Sequence, residues 1–171
     1  GTGNAYSITV NDASVDAAAL NTLDGKTTVT VNAGSVATLT GSAAAIDTAI
    51  NAASIDTGAA VAVNVNSGSA TVAQANSIDA QTSGVVTATI SQGDLSTLAT
   101  LTGTGNAYTV TLSDTTAAAS ALTTLDGKTT VAVNAGSVTT LTGTAAEVTA
   151  AYSANTAGSI SGLGDEAVTL S

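Results

Sequence analysis

The sequence predicts an α/β fold: a right-handed parallel solenoid with one parallel sheet of inward Val, Ile and Leu, backed by one layer of short Ala/Leu-rich helices. Three observations lead there. First, the stretch Gly1–Gly41 returns 102 residues later as Gly103–Gly143, identical at 29 of 41 positions. Duplication that carries alternating strand and helix signals marks layered repeat arrays. Second, short β-branched segments alternate apolar with polar residues, the pattern of a half-buried strand. Third, the centres of these segments lie about 21–37 residues apart, too far for hairpins and far enough for a helical crossover between parallel strands. A pure β-solenoid is the alternative, because Ser35–Leu39 and Ser137–Leu141 could each add a strand. On this reading residues 1–171 form a single repetitive domain. Residues 1–58 are a first block, 59–102 divergent middle rungs, and 103–171 a second block ending on an open strand.

The elements follow in order. Ser7-Ile8-Thr9-Val10-Asn11 alternates with period two, which predicts Ile8 and Val10 inward and the polar residues outward. Asp12 or Ser14 can cap a helix over Val15–Leu23, where Ala supplies propensity and Leu20 and Leu23 form one apolar edge. Asp24-Gly25 turns the chain into a second strand, Thr28–Asn32, with Val29 and Val31 inward. Val36 and Leu39 fit one helical turn or a tight bend closed by Gly41. Ala43–Ala53 is helical, with Ile46 and Ile50 on one face. Val61–Val65 is a strand, Ala70–Ala80 a helix, and Val86–Ile90 the fourth strand. Leu95, Leu98 and Leu101 then recur at three-residue spacing. The second copy repeats strand (Thr109–Ser113), helix (Ala117–Leu125), strand (Thr130–Asn134) and helix (Ala145–Ala154). Ala167–Ser171 closes the chain as a strand.

Composition narrows the possibilities. Apolar residues make up 44% of the chain, yet there is no Phe, Trp or Met and only three Tyr. Small side chains fill a thin, regular core better than a wide one. Two basic residues against twelve acidic ones give a net charge of −10, which disfavours a nucleic-acid partner, whose phosphates need Lys and Arg. No apolar run approaches a membrane span. With no basic-then-apolar leader and no initiating Met, the chain reads as a mature product, an excised fragment or a window of something longer. Cys and His are both absent. The hydroxyl and thiol nucleophile pairs therefore lack a base or an attacking group, and the expectation is a chain that is not an enzyme.

The outward positions of the predicted sheet supply the candidate binding face. Thr28/Thr30, Thr87/Thr89 and Thr109/Thr111 each read Thr-x-Thr, and in register such residues would stack about 4.8 Å apart. Flat threonine arrays of this kind resemble ice-binding solenoids. The plainer reading is that Thr simply suits a half-exposed sheet. No cofactor is expected. Ca²⁺ wants several oxygen ligands, and Gly164-Asp165-Glu166 offers Asp165 and Glu166 without the Asp/Asn/Gly density of a calcium loop. The two chain ends suggest an assembly contact, with Ser7, Ile8, Thr9, Val10 and Asn11 on one side and Ala167, Val168, Thr169 and Leu170 on the other, because an open strand invites another edge.

Leu20–Val29 and Leu122–Val131 (Leu-x-Thr-Leu-Asp-Gly-Lys-Thr-Thr-Val), Asn32–Gly41 and Asn134–Gly143, and Gly162–Ser171 are together similar to tandem repeats of very large secreted or cell-surface proteins of marine bacteria, especially cyanobacteria. The resemblance covers most of the chain and carries no catalytic residues. It implies an extracellular or cell-surface structural protein: a surface layer, stalk or filament, joined by self-association or by neighbouring repeats of a longer chain. An adhesin or ligand-binding module, including an ice-binding one, is the alternative.

Overall fold

In the computed structural model, which describes every residue except Thr2, short polar side chains set where several elements begin and turn. The strand β1 (Ser14–Asp16) leads directly into helix α1 (Ala17–Asp24), because the Asp16 carboxylate accepts from the Ala18 and Ala19 amides at 3.0 and 3.1 Å. Those amides are among the four at a helix start that have no partner inside the helix. After α1 the chain makes a two-residue strand β2 (Val31–Asn32). It ends there because the Asn32 side chain accepts from the Gly34 amide at 3.1 Å, closing an Asx turn. The chain then runs through β3 (Thr38–Ser42) into α2 (Ala43–Ile50), capped by Ser42. β4 (Ile55–Asp56) ends on the same device, with Asp56 accepting from Gly58. β5 (Ala62–Ser67), α3 (Val72–Asp79) and β6 (Val86–Thr89) follow.

The chain divides into two compact units, Gly1–Ala88 and Thr89–Ser171. In the first, β1, β3, β5 and β6 lie side by side in that order, all parallel. Register stacks Val15, Leu39, Val63 and Val86 in one apolar column and Asp16, Thr40, Asn64 and Thr87 in the polar column beside it. β2 and β4 pair with each other as a separate sheet, extended by a bridge from Thr9 to Asn32. Helices α1, α2 and α3 pack in succession. Leu20, Ile46 and Ile78 are fully buried beneath them. Burying side chains of this size stabilises by roughly 1.5–3 kcal/mol each.

The second unit holds α4 (Leu95–Leu98), β7 (Ala107–Thr109), β8 (Thr116–Ala118), α5 (Ala119–Asp126), β9 (Val133–Asn134), β10 (Thr140–Gly143), α6 (Ala145–Ala157), β11 (Ile160–Ser161) and β12 (Ala167–Leu170). β8, β10 and β12 form a parallel three-stranded sheet with β10 in the middle, and β9 pairs separately with β11. The duplicated sequence builds matched pieces: β1/β8, α1/α5, β2/β9 and β3/β10. One substitution is visible in the capping. Ala118 stands where Asp16 does, and α5 starts with no side-chain cap.

Several expectations are corrected. The parallel pairing and the helical segments are present, but the strands of the described residues fall into four separate sheets instead of one continuous solenoid sheet. The Asx turns at Asn32, Asp56 and Asn134 are the physical reason. Each cuts a strand after two residues and sends the chain in a new direction, so strands on either side of the corner cannot share a hydrogen-bond ladder. The pure β-solenoid fails on the six helices of the described residues. Thr38–Ser42, read as a bend, is a strand, and β1 occupies residues assigned to a helix start. Ser7–Asn11 forms no regular strand and contributes only the Thr9 bridge. Val29, expected inward, is exposed, because its amide donates to the Thr27 hydroxyl at 3.0 Å and so turns the chain away from strand geometry. A repeat protein that builds a stalk, layer or filament by stacking one rung geometry has no continuous sheet here to stack upon. The threonine-faced alternative loses the same support.

Helix α6 carries a pH signature. It opens with a capping box: the Thr144 amide donates to the Glu147 carboxylate at 2.8 Å, and the Glu147 amide donates to the Thr144 hydroxyl. The Thr144 amide, and then its hydroxyl, hold the Glu147 carboxyl below the usual range. A depressed folded-state value contributes stability above the ordinary glutamate pKa of about 4.3, lost as pH falls through the folded value. Denaturant melts followed by circular dichroism at pH 7 and at pH 3 should show an acid loss that is smaller in Glu147→Gln. Equal acid loss in the two proteins would remove this role for the capping box.

Candidate functional site

The most distinctive surface feature of the second unit is β12. It has one strand neighbour, β10, and lies at the edge of its sheet. Register places Val168 beside Leu141 and Ala117, continuing an apolar column. Leu141 and Ala117 are buried, whereas Val168 is 44% exposed and Leu170, beside Gly143, is 62% exposed. All four residues of β12 are exposed. The column that makes the core elsewhere therefore comes to the surface here. An edge strand also presents a row of backbone N–H and C=O groups toward solvent.

The strand is held in place by the loop before it. The Gly164 amide donates to the Glu166 carboxylate at 2.7 Å, and Asn155 on α6 bonds to both the amide and the carbonyl of Leu163, at 3.3 Å each. Burial pushes the Glu166 carboxyl up, but the Tyr152 hydroxyl and the backbone amides of Gly164, Glu166 and Asp165 outweigh it and leave a net lowering. Reciprocally, the hydrogen bond to Glu166, followed by burial, pushes the Tyr152 phenol up to about 12. Glu166 is thus committed to positioning this loop. Its neighbour Asp165 is exposed. Among the described residues no three acidic side chains converge as metal ligands.

The other expected sites are distributed. Ser7, Thr9 and Asn11 are exposed, Ile8 is partly covered and Val10 is buried. All six threonines of the expected face are exposed, but not all of them lie in one sheet. Thr28 and Thr30 lie outside regular strands. Thr87 and Thr89 are on β6, Thr109 is on β7, and Thr111 bridges to Asn134. The Asp24-Gly25-Lys26 turn and its copy have a partner that the sequence reading missed. Asp24 accepts from the Ser54 hydroxyl and Asp126 from the Ser159 hydroxyl, both at 2.9 Å, which ties the end of each helix to the start of a later strand. No helix of the described residues is long and apolar enough to cross a membrane.

Comparison with protein-family models, with curated proteins and with solved structures found no match.

Proposed function

We propose that this chain is a non-catalytic interaction module, working outside the cell, that pairs with a second copy of itself through the edge of β12. The observation that carries the reading is Val168, exposed on an edge strand at the open end of a column whose next member, Leu141, is fully buried. A two-fold axis through Thr169 would set two β12 strands antiparallel. Val168 of each copy then faces Leu170 of the other on the apolar side of the joined sheet. Such a contact closes on itself as an isologous pair and does not propagate. Each cross-strand apolar pair is worth roughly 0.2–1 kcal/mol beyond burial, and association itself costs at least about 4 kcal/mol. A weak pair is expected, with a Kd of about 10–500 μM. The acidic surface keeps other approaches apart at low salt.

Sedimentation equilibrium across that concentration range tests the pair. The expected result is a monomer–dimer equilibrium that strengthens with salt and is weakened at least about tenfold by Val168→Lys. Tyr6→Ser should leave it unchanged. A wild-type chain that stays monomeric to about 1 mM, or a Val168→Lys variant that pairs as well as wild type, overturns the proposal.

A further inference from the structure

Four of the differences between the two copies of the duplicated sequence fall on one helix pair. Asp16, Ala18, Asn21 and Ala45 of the first copy stand where Ala118, Ser120, Thr123 and Glu147 stand in the second. In the first copy two separate groups act there. Asp16 caps α1, and the Asn21 side-chain amide donates to the Ala45 carbonyl on α2 at 2.9 Å, tying the two helices together. Neither group has a like replacement in the second copy. The Thr123 hydroxyl turns back on its own helix, donating to the Ala119 and Ser120 carbonyls, and α5 begins on Ala118 with no side-chain cap.

The glycine that ends the strand beside each pair shows what has changed. A Cβ added at Gly41 would fall 3.2 Å from the Asp16 carboxylate and 3.8 Å from the Cβ of Ala17. At the matching Gly143 it would fall 2.9 Å from the Glu147 carboxylate and 3.6 Å from the Cβ of Ala119, the counterpart of Ala17. Each copy thus sets one carboxylate over the same glycine, beside the first residue of the same helix. The first copy supplies it from the residue before that helix, the second from the third residue of the next helix. The Thr144 amide and hydroxyl hold the Glu147 carboxyl below the usual range against desolvation, and the Ser120 hydroxyl on α5 adds to the lowering.

From this exchange we infer that Glu147 is a shared clasp, one carboxylate that stabilises the start of α5 as well as that of its own helix α6. It takes over both the Asp16 cap and the Asn21 tie of the first copy. Through the capping box it is already bound to the Thr144 amide and hydroxyl, at 2.8 and 3.0 Å. Its charge also lies beside the first turn of α5, whose leading amides have no partner within the helix and favour a nearby anion. One group serving two helix starts makes them open together. In α1 and α2 the cap and the tie sit on different residues, so loss of the Asp16 cap leaves α2 fastened. The inference is independent of the β12 pair.

Amide hydrogen exchange of the intact chain, read by NMR, tests the clasp. Glu147→Ala, which installs the residue of the first copy, is expected to speed exchange at the interior amides of α5, Thr123–Asp126, by at least about twofold, together with those of α6. Acceleration confined to α6 overturns the inference, because a capping box alone acts on its own helix. Ala118→Asp supplies the second arm. In the Glu147→Ala background it should slow α5 exchange by about two- to thirtyfold and leave α6 fast. In the wild-type background two carboxylates would meet over Gly143, and the same change should slow α5 by less than about twofold. Equal slowing in both backgrounds would mean that Glu147 does nothing for α5, and it too overturns the inference.

Discussion

Leu125→Ala is expected to destabilise the second unit by about 2–5 kcal/mol, whereas Leu23→Ala should cost the first unit less than about 1 kcal/mol. The two leucines occupy equivalent places in sequences that are nearly identical around them, Thr-Leu-Asp-Gly-Lys-Thr-Thr-Val in both copies. Both sit near the end of an eight-residue helix. Helix propensity, local turn and the tie from the following Asp to a serine are thus held constant. The first-turn caps differ, but both leucines lie in the last turn, where the main difference is burial, and a truncation inside a closed core loses transfer energy and leaves a cavity, while one at a solvated face does neither. Urea titration of the two variants, followed by circular dichroism, measures the difference directly. Equal losses would mean that Leu125 is not shielded in solution.

Gly162→Ala should be among the most damaging single substitutions in the chain, costing about 3 kcal/mol or more. Its φ is +86°, and a Cβ there would fall 2.6 Å from both the Cα and the N of Gly136. The obstacle is backbone, so no side-chain rotation relieves it. Either the turn after β9 or the one after β11 must move, and those two strands have only two residues each to hold their register. Gly158→Ala is the matched control, with φ +85° and nothing within 4 Å of the added carbon. That change carries only the left-handed backbone cost of about 1–2 kcal/mol. Thermal melts of both variants separate the two effects, and similar shifts in Tm would show that the close approach of Gly136 contributes nothing.

The helices were legible because Leu20, Ile46, Ile78 and Leu122 recur among alanines at helical spacing, and the structure buries each of them. Parallel pairing was legible from the distance between strand segments. The number of sheets was not, since it depends on corners and not on strands. The corner signal was nonetheless present: Asn32, Asp56 and Asn134 each stand two residues before a glycine, the spacing of an Asx turn. The Thr38–Ser42 strand was hidden by the three-residue interval between Val36 and Leu39, which imitates a helical turn. The β12 strand was legible in its own alternation. The surroundings of Tyr6 were not, because six identical residues, Gly-Thr-Gly-Asn-Ala-Tyr, give opposite burial of Tyr6 and Tyr108. What covers them comes from elsewhere in the chain, and no local pattern encodes it.

The sparse aromatic content has a practical consequence. With no Trp in the chain, its near-ultraviolet emission comes from three phenols in three surroundings: Tyr6 about half exposed, Tyr108 fully buried, and Tyr152 beside the Glu166 carboxylate. One belongs to the first unit and two to the second. The molecule thus carries its own optical labels, and Tyr→Phe replacements taken one at a time would let the melting of each half be watched without attaching a dye.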